Sequence, residues 1–109
     1  MKVLVVDDEQ VVLFLIARTL RQAGYDVLTA ITADEAYLHI AAHGDINAIF
    51  TDLHLPGTNG VQMLDFFSKL CPDSKIAVMT GFNNDEVDEQ QYKVFQKPFK
   101  NGELVEWLQ

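Results

Sequence analysis

The chain has 109 residues, the size of one compact domain, and a hydrophobic fraction of 49% that suffices for a core and argues against disorder. Sixteen acidic against eight basic side chains leave a formal charge of −8, which argues against a nucleic-acid surface or attachment to an anionic membrane. The single cysteine, Cys71, excludes an internal disulfide, no Cys/His spacing suggests zinc, and the opening apolar run is too short to span a membrane. A free thiol fits a reducing compartment, so a cytoplasmic protein is expected.

Lys2–Val6 is a valine-rich run, the pattern of a strand covered on both faces. From Glu9 to Ala23 a helical stripe is predicted through Val12, Leu15, Ile16, Thr19, Leu20 and Ala23, with Gly24 positioned for a left-handed cap. Phe14 falls opposite that stripe, with Leu13 at its border. A second strand is predicted over Tyr25–Ala30. Thr32 and Glu35 then form a capping box opening a helix that Gly44 closes. Ile46–Thr51 is a third strand running into Asp52. Pro56, Gly57 and Gly60 mark a loop, followed by a helix from Val61 to Leu70 that Pro72 ends. Ile76–Thr80 and Tyr92–Gln96 read as the fourth and fifth strands, and a last helix starts near Asn101. This alternation predicts an α/β domain with a doubly wound, five-stranded parallel sheet.

In such sheets chemistry gathers at the carboxyl ends of the strands. There this chain places Asp7 and Asp8 after the first strand, Asp52 after the third, Thr80 at the end of the fourth and Lys97 after the fifth. Taken singly, each has an ordinary explanation: Asp7 and Asp8 as helix caps, Asp52 as a turn residue, Thr80 as a strand end, Lys97 as a surface lysine. Together they form a set. Three carboxylates repel one another, and a hard divalent cation such as Mg²⁺ relieves that repulsion. A carboxylate is a competent nucleophile for phosphorus, and Mg²⁺, the Lys97 ammonium and the Thr80 hydroxyl match the three equatorial oxygens of a phosphoryl group.

The motifs Val5-Val6-Asp7-Asp8-Glu9, Asp52-Leu53-His54-Leu55-Pro56-Gly57 with Gly60, Met79-Thr80-Gly81 and Lys97-Pro98-Phe99 resemble those of CheY-like receiver domains of two-component response regulators, across essentially the whole chain. The resemblance implies a flavodoxin-like fold with strand order 2-1-3-4-5 over residues 1–109. It implies that Asp52 accepts a phosphoryl group from a histidine kinase or histidine phosphotransfer protein, acting as a two-state switch in phosphorelay signalling. Mg²⁺ would be held by Asp8, Asp52 and the backbone carbonyl of His54, with Asp7 acting largely through water. Lys97 would pair with the phosphoryl group or its carboxylate, Thr80 would report it, and Lys97–Pro98 would be cis. The His54 side chain is either a loop histidine or a modulator of acyl-phosphate lifetime. The first helix meets the donor in that family, which suggests a docking role for Phe14 and Leu13.

Two departures bear on the switch. Thr80 and Lys97 are about one helical turn closer than in the usual pattern, and Asn83–Gln91 has only Val87 as an apolar residue, so the helix between the fourth and fifth strands is expected to be shortened, reduced to a single turn or replaced by a mobile loop. Val94 occupies the position, three before Lys97, where an aromatic often couples to the switch threonine. Two rival readings are an interaction module that keeps the fold without phosphorylation and a phosphohydrolase of the haloacid-dehalogenase type. The latter wants an aspartate where this chain has His54. The sequence leaves open the cognate kinase, the oligomeric state, and whether the domain stands alone or belongs to a longer chain.

Overall fold

A computed structural model describes residues 1–81 and 87–109. Five parallel strands, β1 (Lys2–Val6), β2 (Asp26–Ala30), β3 (Ile46–Asp52), β4 (Lys75–Thr80) and β5 (Lys93–Gln96), lie in the order β2-β1-β3-β4-β5. Among the described residues, four helices connect and flank them: α1 (Gln10–Gln22), α2 (Ala33–Ala42), α3 (Gly60–Leu70) and α4 (Asn101–Leu108). The expected α/β doubly wound architecture is therefore the observed one.

Strand side chains alternate between faces, so β1 divides its residues between two cores. Leu4 and Val6 join Ile49, Val78 and the inward sides of α2 and α3; Val3 and Val5 join Phe50, Met79 and the inward sides of α1 and α4. Covered on both sides, β1, β3 and β4 read in sequence as near-continuous apolar runs. Among the described residues, Val87 and Tyr92 complete the α2–α3 side of the sheet, and the Tyr92 hydroxyl donates to the Leu64 carbonyl at 3.4 Å.

Local chemistry fixes the element ends. Gly24 adopts φ +97° just beyond α1, as its capping position requires. Thr32 Oγ1 accepts from the Glu35 amide at 3.1 Å, while Glu35 reaches back to the amide of Ile31 rather than of Thr32. Asn59 caps α3 by accepting from the Gln62 amide at 3.0 Å, a cap the sequence reading did not identify. Leu55–Thr58 closes as a β-turn, with Pro56 at its second position and Gly57 at φ +71° at its third.

Two expectations change, and a third falls partly outside the described residues. α1 is rotated from the predicted stripe: Leu13, Ile16, Ala17 and Leu20 are buried, while Leu15 is 45% exposed and Ala23 lies at the surface. Tyr25 precedes β2 and Tyr92 precedes β5 instead of belonging to them. Of the segment expected to hold a shortened helix, residues 83–86 lie outside the described residues, and 87–91 form turns in which the Asp88 carbonyl accepts from the amides of Gln91 and Tyr92.

Gly60 sets the approach of α3 to the loop after β3. A Cβ there would collide with the Leu53 carbonyl oxygen and lie 2.8 Å from Leu53 Cδ1. Gly60→Ala is expected to destabilise the fold by about 1–3 kcal/mol in urea unfolding, the usual cost of overpacking. Gly102→Ala, where a Cβ meets nothing within 4 Å, should be neutral or stabilising.

Candidate functional site

The sheet brings the carboxyl ends of β1, β3, β4 and β5 to one edge. Asp7 follows β1 and is fully buried, its amide bonded to the Ala30 carbonyl of β2 at 3.0 Å. Asp52 ends β3 at 6% exposure, and Thr80 ends β4, buried. The Lys97 amide donates to the Thr80 carbonyl at 2.7 Å, which carries the chain from β5 back to the end of β4, and the Lys97–Pro98 bond is cis as expected.

From that anchor the Lys97 ammonium bridges two buried carboxylates, 3.0 Å from Asp7 Oδ2 and 3.1 Å from Asp52 Oδ2. Each carboxylate commits its other oxygen to the backbone two residues ahead. Asp7 Oδ1 accepts from the Glu9 amide at 2.9 Å, and Asp52 Oδ1 accepts from the His54 amide at 2.8 Å. These paired Asx turns hold both side chains in one orientation. Asp8 sits beside them on the exposed side, and one oxygen from each of Asp7, Asp8 and Asp52 falls within 4.8 Å of the others.

The electrostatics follow from this packing. Burial pushes the Asp7 carboxyl above its ordinary value; the Glu9 amide and Lys97 pull it back only in part. Burial pushes Lys97 down, but its hydrogen bonds to Asp7 and Asp52 outweigh that, so its ammonium is held above the usual range. One ammonium against three carboxylates leaves the cluster negative. Its all-oxygen donor set and excess charge fit a hard divalent cation such as Mg²⁺, for which Asp7, Asp8 and Asp52 are the candidate ligands.

Every residue singled out for the chemistry lies at this edge. The sequence did not reveal that Asp7, rather than acting only at a distance, shares Lys97 with Asp52. Two adjacent aspartates carry no sign of which one points inward. Of the two candidate docking residues, Leu13 is only 6% exposed and cannot present itself to a partner, whereas Phe14 is 64% exposed.

Residues 3–109 match the response regulator receiver domain family. Among curated proteins, the DNA-binding transcriptional regulator NtrC of Rhizobium meliloti is 31% identical over 108 residues, covering 94% of this chain and 22% of that protein. Among solved structures, a CheY-like receiver domain protein from Methanospirillum hungatei superposes with a TM-score of 0.90 at 28% identity, covering 98% of this chain and 89% of that one. A Burkholderia pseudomallei response regulator, described with a phosphorylated aspartic acid, calcium ion and citrate, does so at 0.87 and 30% identity, covering 99% and 66%. The family match identifies this doubly wound α/β domain, with its acidic pocket beside a strand-end lysine, as a signalling domain. The chain belongs to the response regulator receiver domain family of two-component systems. It spans about a fifth of the length of the curated regulators it resembles over its full extent. No helix among the described residues is long and apolar enough to cross a membrane.

Removing the bridging ammonium leaves Asp7 and Asp52 uncompensated. Lys97→Met is expected to cost about 2–3 kcal/mol at neutral pH without divalent cations, below the full cost of an orphaned buried pair because the lysine side chain keeps 21% of its exposure. Asp7, already above its ordinary 3.8 in the folded state, rises further in the variant. The folded variant therefore binds a proton before the unfolded chain does, and the deficit shrinks as pH falls through that raised value. Urea unfolding at two pH values checks both the size and the sign.

Proposed function

We propose that this domain is a Mg²⁺-dependent phosphoacceptor in a phosphorelay, with Asp52 as the acceptor. The observation that carries the proposal is the Asp7–Lys97–Asp52 bridge with Asp8 alongside. It provides a nucleophile oriented by the His54 amide, a fixed cation beside it, and oxygen ligands for a metal. An Asp52 oxygen attacks the phosphorus of a partner's phosphohistidine, the P–N bond breaks, and the imidazole departs as an acyl phosphate forms. Lys97 moves from bridging two carboxylates to neutralising a phosphoryl oxygen, and the Thr80 hydroxyl donates to another. Asp8 and Asp52 with the His54 carbonyl would hold Mg²⁺, Asp7 acting through water, and the ion would supply positive charge against the carboxylates and phosphoryl oxygens. Water later hydrolyses the acyl phosphate, so the domain catalyses only its own phosphorylation and dephosphorylation, and its role is a switch.

The cognate donor is a histidine kinase or histidine phosphotransfer protein in the cytoplasm. Phe14 lies on α1, which begins three residues after Asp7, and with Val11 it presents an exposed apolar surface suited to that donor. Transmission departs from the family's usual Thr–aromatic coupling. Val94 is half-buried; Tyr92 is fixed in the core against α3, and Phe95 packs among Phe50, Phe99 and Trp107. No aromatic at the Val94 position stands ready to follow Thr80.

Incubation with a small acyl-phosphate donor and Mg²⁺ is expected to add one phosphoryl group by intact mass. Asp52→Asn should abolish the adduct, and chelation of Mg²⁺ should slow its formation at least about a hundredfold, the scale of losing one preorganised charge. An undiminished adduct on Asp52→Asn overturns the assignment, and no adduct on the wild type leaves the phosphorylation-independent interaction module as the better reading.

Phe14→Ala should slow transfer from the cognate phosphohistidine donor about five- to tenfold, as truncation of an interface aromatic does, while leaving the small donor's rate unchanged. Unchanged transfer kinetics from the cognate protein would remove Phe14 from the docking surface.

A further inference from the structure

The sheet has two edges, and they are protected differently. β5 is four residues long, begins at Lys93 and is followed at once by Lys97-Pro98, features that discourage a further strand from pairing. β2 is the other edge, five residues long and without proline. In its parallel pairing with β1, the Asp26 amide donates to the Met1 carbonyl and the Ala30 carbonyl accepts from the Asp7 amide. Even-numbered residues of β2 therefore turn their backbone groups toward β1. The odd-numbered residues, Val27 and Thr29, together with Ile31 just beyond, turn theirs outward.

Three of these outward groups are taken up by side chains. Arg21, at the end of α1 on one face, donates from Nη2 to the Val27 carbonyl at 3.1 Å. His39, on α2 against the other face, donates from Nε2 to the Thr29 carbonyl at 2.9 Å, which fixes the proton on that nitrogen because a carbonyl only accepts. The Ile31 amide donates to Glu35 Oε1 at 3.2 Å. A strand that paired with β2 would have to displace all three.

We propose that Arg21 and His39, reaching over the sheet edge from opposite faces, close β2 against strand addition by a second copy of this chain. Their hydrogen bonds occupy the two carbonyls that an incoming strand needs, and the bulk of the side chains covers the edge besides. Neither residue touches the acidic pocket, so the device works independently of the phosphoacceptor chemistry.

The test is the R21A/H39A double variant, compared with wild type by sedimentation velocity at increasing concentration and by hydrogen exchange. The variant is expected to self-associate about tenfold or more tightly than wild type, the scale of two ladder hydrogen bonds freed to form between chains. The Val27 and Thr29 amides should gain protection only in the associated form, and R21K/H39Q, which keeps a donor at each position, should return to wild-type behaviour. Phosphorylation of Asp52 by a small donor should be unchanged. A folded double variant that sediments like wild type overturns the proposal, as does association that leaves the Val27 and Thr29 amides unprotected. Should the double variant fail to fold, R21A, which removes one exposed side chain, is judged by the same two readouts with a smaller expected shift.

Discussion

The Lys97 ammonium between Asp7 and Asp52 is the interaction on which the rest of this structure depends. Two carboxylates that are almost entirely removed from water would destabilise the fold if they stood alone. One cation, delivered by the loop after β5, makes them tolerable. For that cation to arrive, β5 must lie beside β4, its end must be tied to the Thr80 carbonyl, and β1 and β3 must be neighbours at the centre of the sheet. The strand order is thus also the condition for assembling the pocket. The same lysine leaves the cluster short of positive charge, and that shortfall is what a divalent cation would fill.

Much of this was legible in the sequence because parallel-sheet proteins separate core from site so sharply. Val3–Val6 in β1, Ala48–Phe50 in β3 and Ile76–Met79 in β4 are unbroken apolar runs, and the change to Asp7, to Thr51 and Asp52, and to Thr80 marks both the strand end and the reactive edge. The α1 face was not legible. Val11 through Ala17 is an unbroken apolar run, so several helical faces satisfy a 3.6-residue period, and only packing against β1, β3 and α4 decides that Leu13 and Ala17 turn inward while Leu15 does not. The Asn59 cap was obscured by Pro56 and the glycines of its loop. The inward turn of Asp7 depends on hydrogen bonds to Ala30 and Glu9, neither of which adjacent aspartates can announce.

The pocket and the apparatus that would read it differ in how closely they follow the family. The pocket retains each expected residue type at its expected strand end. On the output side, Val94 stands where an aromatic is usual, and both nearby aromatics are committed to the core, Tyr92 against α3 and Phe95 against Phe50 and Trp107.

A lysine-bridged, net negative carboxylate cluster stands ready for a hard divalent cation, and thermal unfolding at increasing Mg²⁺ concentration reads that readiness. Mg²⁺ is expected to raise the wild-type midpoint progressively, by preferential binding to the folded state, and Asp8→Ala to remove most of that gain. A midpoint insensitive to Mg²⁺, or a gain that survives intact in Asp8→Ala, would contradict it.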